Sequence, residues 1–260
     1  MMQWLDHAGR PLAYTVQGQG PLVILVHGLG ASMSDWRFQV APLAERLQVA
    51  TVDLPGFGDS PPPAHAPAVD DYAAAVEALA DALSPDAPVS LVGHSMGGAV
   101  VVQAALRRPH RYHRLVVANS LPSFQPERWR ERLEVMYRRV VMRVLGPARL
   151  ARLSAFRMFP FPDQEDLRAA IIARGLRNRA DTYLQALNAL TRWNALPRLS
   201  ELRMPVLLLA SEHDYFVRAR TEQYAAALSD VRLQWFEGAR HGLPMERPAA
   251  FNRALLDFLT

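Results

Sequence analysis

The chain contains no cysteine and no lysine. The lack of cysteine excludes disulfides, thiolate metal sites and a cysteine nucleophile, but leaves the redox compartment open. All 29 basic residues are therefore arginine, an inventory that fits a GC-rich coding sequence. Long apolar runs are also missing. A stretch such as Leu22 to Val26 is far short of the ~20 residues a membrane span needs. The first ten residues carry no apolar segment of the kind found in secretory signals. These absences point to a soluble, cytoplasmic protein.

What is present fits a globular chain. Half of the 260 residues are apolar and 21% are charged, which allows one large domain or two small ones. Charge is uneven along the chain. Residues 121–197 hold 14 arginines against 7 carboxylates, and the remainder holds 15 against 18. The overall charge of +4 thus hides a local basic segment.

Short apolar runs at 22–27, 49–53, 89–93, 115–118, 206–210 and 232–236 alternate with helical patterns at 36–47, 71–83, 96–107, 220–228 and 249–259. That alternation predicts an α/β fold with a mostly parallel sheet and crossover helices. The runs are continuous rather than alternating, as for strands covered on both faces. Residues 4–16 read as an opening strand pair, and 60–67 as a Pro/Ala-rich loop. From about Leu121 to Pro197 the pattern turns helical. Trp129, Leu133, Met136, Val140 and Val144 share one helical face, which is expected to pack downward. Arg128, Arg132, Arg139 and Arg143 form a separate, solvent-facing stripe. The resulting division is a core of 1–120 and 198–260 with a helical insertion at 121–197.

Gly93-His94-Ser95-Met96-Gly97 lies between a strand pattern and a helix pattern. A serine on so tight a turn takes a strained backbone with its hydroxyl exposed. The small flanking residues allow strand and helix to approach closely. A hydroxyl needs a base to become a nucleophile, and the base needs a carboxylate to orient it. Of eight histidines, His241 lies in a loop after the last strand pattern, at the sheet edge that carries Ser95. His94 adjoins the serine and is expected to point away. Asp214 follows the strand pattern at 206–210 at the same edge. The order Ser95, Asp214, His241 is the one that accompanies this turn. Glu212 is the rival acid, and Asn119 cannot serve as an anion. His27-Gly28-Leu29-Gly30 follows the first core strand and offers the N–H of Leu29 to a developing oxyanion. The N–H of Met96, at a helix start, would be the second donor.

Along nearly its whole length the sequence resembles the α/β-hydrolase fold superfamily. The matching pieces are His27–Gly30, Asp53-Leu54-Pro55-Gly56-Phe57-Gly58-Asp59-Ser60, Gly93–Gly98, Ser211–Asp214 and Arg240-His241-Gly242. The resemblance implies a Ser-His-Asp hydrolase with residues 121–197 as a cap over the active site. It implies no catalytic role for the Asp53–Ser60 loop. Serine at 95 argues against dehalogenase or epoxide chemistry, which would use an aspartate there. Enzymes of this kind that cleave carbon–carbon bonds in ring-fission products carry Asn before the serine and Trp soon after the histidine. This chain has His94 and Gly242-Leu243-Pro244 at those places.

The expectation is a carboxylic ester hydrolase working through an acyl-enzyme. The alternatives are carbon–carbon or lactone hydrolysis, an esterase for acyl esters on a carrier protein, or a silent ligand receptor. Trp129, Met136 and Tyr137 are expected to line an apolar acyl pocket. The stripe Arg128, Arg132, Arg139 and Arg143 would receive an acidic carrier protein, with an anionic membrane surface as another option. No nucleic-acid partner is expected, because the basic segment lacks aromatic interleaving. No cofactor or metal is implied, since no His/Asp/Glu cluster has ligand spacing.

Overall fold

The computed structural model describes residues 1–260. Strands β1 (Met2–His7), β2 (Arg10–Gln17), β3 (Leu22–Val26), β4 (Gln48–Val52), β5 (Val89–His94), β6 (Tyr112–Ala118), β7 (Val206–Ser211) and β8 (Val231–Phe236) form one sheet in the order β1-β2-β4-β3-β5-β6-β7-β8. β2 runs antiparallel to β1 and to β4, and the rest are parallel. The helices are α1 (Val40–Ala44), α2 (Val69–Leu83), α3 (Met96–Arg107), α4 (Trp129–Val140), α5 (Gly146–Met158), α6 (Glu165–Gly175), α7 (Ala180–Arg192), α8 (Arg218–Ala226), α9 (Leu243–Glu246) and α10 (Pro248–Leu259). None is long and apolar enough to cross a membrane.

The central strands are buried on both faces. Ile24 and Val26 join the larger core under α2 and α3, while Val23 and Leu25 join the core under α10. This is the two-residue period of a strand expressed in packing. β3 pairs with β4 on one side and β5 on the other. The chain direction across the sheet therefore reverses at β3, and a crevice opens at the strand ends there.

The continuous helix expected at 36–47 is instead a 3₁₀ turn, Met33–Trp36, followed by α1. Pro42 explains the break, because a proline in a helix interior removes a hydrogen bond and clashes one turn back. Restarting at Val40 places Pro42 in a first turn, where it is tolerated.

Between β6 and β7 the chain leaves the sheet, forms α4 to α7, and returns to the neighbouring strand position. The neck of this excursion is closed by main-chain bonds. Ala195 N–H donates to Pro122 O at 2.8 Å, and Phe124 N–H donates to Trp193 O at 3.3 Å.

The orientation of α4 corrects the sequence expectation. Trp129, Leu133, Met136, Val140 and Val144 do not pack downward; they are exposed, from 45% for Leu133 to 73% for Val144. The inward face carries Glu131, Glu134, Val135 and Arg138, followed by Met142 in the π-helical turn Val141–Leu145. The inward charges are paired: Glu131 with Arg220 at 2.8 Å, and Glu134 with Arg138 at 2.8 Å and Arg157 at 2.9 Å. Periodicity identifies an apolar face but does not say which way it turns when the polar face finds partners inside.

Candidate active site

Ser95 occupies the turn between β5 and α3 with φ 55° and ψ −120°, a left-handed conformation rare for a residue with a side chain. Crowding explains the glycines around it. A Cβ on Gly97 would lie 2.1 Å from Val26 O, and one on Gly93 would lie 2.2 Å from Gly97 O. Ser95 N–H is fixed by Ala118 O on β6. The turn thereby holds the hydroxyl above the sheet edge.

His241 reaches this hydroxyl from the loop after β8. Its Nε2 lies 3.0 Å from Ser95 Oγ, and its Nδ1 lies 2.6 Å from Asp214 Oδ1. The side chains of His241 and Asp214 are nearly buried. With Nδ1–H donating to the carboxylate, Nε2 is left as an acceptor for the serine proton. Glu212 is turned away; half exposed, it accepts the N–H of Gly238 at 2.8 Å.

Gly28 faces the serine, and a Cβ there would come within 3.1 Å of Ser95 Cβ. The neighbouring Leu29 N–H makes no hydrogen bond within the protein. Met96 begins α3, where the helix supplies no acceptor for its N–H. Leu29 follows β3 and Met96 follows β5, adjacent parallel strands, so both lie at the sheet edge that carries Ser95. His27 holds the loop from beneath: its ring Nδ1–H donates to Gly28 O at 2.8 Å, and Nε2 accepts from Leu54 N–H at 3.0 Å. Burial pushes its pKa down to about 4, so the ring is neutral. Asp53 is a brace: its carboxylate accepts the N–H groups of Met33 and Asp59.

Three residues at the site escaped the sequence reading. His94 does not point away; its Nε2–H donates to the main-chain carbonyl of His241 at 2.7 Å. Burial pushes its pKa down to about 3. Asn119 has φ 45°, and its amide reaches Ser211 Oγ, Arg240 O and His241 O while its Oδ1 accepts Ser211 N–H. Tyr215 stacks on His241 with ring centroids 4.2 Å apart and planes inclined by 22°. Only adjacency to Ser95, to the end of β6 and to Asp214 marked these positions beforehand.

Above the serine lies a cavity of about 910 Å³ between the sheet edge and α4 to α7. Trp129 lines it, but Met136 and Tyr137 do not; both lie on the exposed face of α4. Of the arginine stripe, Arg128 reaches the cavity, whereas Arg132, Arg139 and Arg143 remain on the outer surface. Nor is the lining simply apolar. Leu150, Met158, Phe159 and Leu187 are joined by six arginines and three carboxylates.

The chain is similar to known proteins over most of its length. The model of the Alpha/beta hydrolase family matches residues 23–254, and the chain belongs to that family. The pimeloyl-[acyl-carrier protein] methyl ester esterase of Vibrio cholerae is 27% identical, over 96% of this chain and 98% of its own. The polyketide synthase ThaQ of Burkholderia thailandensis is 32% identical over 93% of this chain, which spans only 12% of that protein. Among solved structures, the enol-lactonase from Burkholderia xenovorans LB400 superposes with a TM-score of 0.89 at 26% identity, covering 99% of each chain.

Proposed function

We propose that this ester hydrolase works through an acyl-enzyme at Ser95 and takes its acyl ester from an acidic carrier protein. The observation that supports the chemistry is the row Ser95–His241–Asp214, with bonds of 3.0 and 2.6 Å, at the floor of the cavity. Ser95 Oγ attacks the ester carbonyl as His241 Nε2 takes its proton. Asp214 keeps the imidazole in the required tautomer and stabilises its charged form. The N–H groups of Leu29 and Met96 stabilise the oxyanion. His241 returns the proton to the departing alcohol, and water then releases the acid by the same steps in reverse.

The carrier reading draws on the outer surface of α4. There an apolar row runs beside Arg128, Arg132, Arg139 and Arg143, next to a cavity edge lined by Arg128 and Trp129. An acidic, partly apolar partner complements that surface, whereas a second basic cap would be repelled. The relatives whose names specify an acyl-carrier-protein ester favour the same reading. A lactone is a cyclic ester and needs the same groups, so the likeness to an enol-lactonase adds lactones to the assay.

The chemistry is tested with p-nitrophenyl esters from acetate to dodecanoate. Wild type should release a burst of nitrophenol that Ser95→Ala abolishes; an undiminished burst in the variant would refute the acyl-enzyme. Turnover of a carrier-linked ester should fall steeply with added salt, while a small neutral ester responds little. Equal salt responses would remove the carrier.

A further inference from the structure

The charges lining the cavity do not cancel. Asp35 is paired with Arg174, and Glu131 with Arg220. Glu134 alone answers two guanidinium groups. Arg138 Nε donates to its Oε1 at 2.8 Å, and Arg157 Nη1 donates to both oxygens at 2.9 Å. Arg138 Nη1 turns to Tyr183 Oη at 3.3 Å. The remaining N–H groups, Arg138 Nη2 and Arg157 Nη2 and Nε, bond nothing in the protein, although both residues line the cavity. In this cluster, apart from Arg128 and Arg130 elsewhere on the lining, one positive charge is therefore left without a carboxylate partner. It lies close to the reacting atoms: Arg157 Cζ is 4.2 Å from the Tyr215 ring centroid, and that ring stacks 4.2 Å from His241. Arg138 Cζ is 5.6 Å from the same ring.

An unmatched cation in a partly enclosed cavity is unfavourable until an anion arrives. A carboxylate or phosphate meets a guanidinium through paired, charge-assisted hydrogen bonds. We propose that Arg138 and Arg157 form an anion subsite, and that the favoured ester carries a carboxylate or phosphate that docks there during catalysis. The inference rests on the ester-hydrolase reading of the same site and adds the charge class of the substrate. Tyr215 separates this subsite from His241, so the anion is held beside the imidazole without reaching it. Glu134 limits the subsite to one net charge and orients both guanidinium groups.

The test compares chain-matched neutral and anionic esters. The first pair is the methyl ester of a fatty acid against the monomethyl ester of the dicarboxylic acid of equal length. The second is an alkyl acetate against the acetate ester of an ω-hydroxy carboxylic acid, and the third replaces that carboxylate with a phosphate. These arms separate acyl-side from alcohol-side charge, and carboxylate from phosphate. In at least one pair, wild type should favour the anionic member in kcat/KM by about tenfold or more, the scale of a charge-assisted bond. Arg157→Gln and Arg138→Gln should each reduce that ratio at least several-fold, and Glu134→Gln, which frees a second charge, should raise it. Because Arg157 is half exposed, its variant keeps the test open if Arg138→Gln does not fold. A wild-type ratio at or below one in every pair would overturn the subsite, as would a ratio unchanged in folded Arg157→Gln. Failure to turn over any ester, with Ser95 unlabelled by a fluorophosphonate, would instead overturn the ester-hydrolase reading, and this inference with it.

Discussion

The ring of His94 donates from Nε2 to the main-chain carbonyl of His241, so the residue before the serine anchors the loop that carries His241. Its burial keeps the ring neutral and the donor in place. His94→Ala should lower kcat about tenfold with little change in KM, because the loss is one of positioning. Steady-state kinetics on p-nitrophenyl acetate read this directly. An unchanged kcat would reduce the contact to packing.

Two buried neutral histidines also make stability depend on pH. The native pKa values of His27 and His94 are pushed down to about 4 and about 3, against 6.5 unperturbed. Between those limits the unfolded chain binds more protons than the folded one, so stability rises with pH. It should be fully present above about pH 6.5 and decline on acidification, by up to about 1.4 kcal/mol per pH unit for each histidine. Urea unfolding from pH 7 to 4.5 measures the slope. His27→Gln should make it shallower by about one proton, and an unaltered slope would contradict the assignment.

Asn119 joins the ends of β6 and β7 to the loop of His241 through both atoms of its amide. Asn119→Ala leaves buried carbonyls and an N–H unpaired while forcing a side chain with fewer local options into φ 45°. A loss of about 2–4 kcal/mol in urea unfolding is expected. A change below about 0.5 kcal/mol would show that the bonds are replaceable.

The choice between the two carboxylates after β7 can be made kinetically. Asp214→Asn should reduce kcat by roughly 10³–10⁴, since an amide stabilises the wrong imidazole tautomer. Glu212→Gln should change kcat by less than about threefold. The reverse ranking would exchange their roles.

Surface and core substitutions in α4 and the turn after it should separate cleanly. Leu133→Ser and Val140→Ser lie on the exposed row of α4 and should alter stability by no more than about 0.5 kcal/mol. Met142→Ala, beneath it among Leu150, Tyr183 and Leu187, should cost about 2–5 kcal/mol. Equal losses would mean that the outer row is covered in solution.

The sheet was legible because its strands are written locally. Continuous apolar runs such as 22–26 and 206–210 and the Gly93–Gly97 turn need no knowledge of distant residues. The row of Ser95, Asp214 and His241 was accessible for the same reason, as each follows a strand at one sheet edge. The orientation of α4 was not legible. It depends on Arg157 and Arg220, far away in sequence, meeting Glu134 and Glu131. The tasks of His94 and Asn119 were hidden likewise, because nearly all their partners are main-chain groups, at 211, 240 and 241. Main-chain partners leave no mark in residue identity.

The closed neck has a consequence for how such a molecule can change. Since Ala195 and Trp193 bond back to Pro122 and Phe124, and β6 and β7 lie side by side, the whole excursion enters and leaves through one doorway. Its ends are fixed before its contents are, and closing a longer or shorter loop across fixed ends alters the free energy only slowly. Lengthening, shortening or exchanging what lies beyond the doorway leaves the strand order intact. The helices above the cavity can thus be exchanged as a cassette, while the sheet edge that carries Ser95 and His241 keeps its geometry.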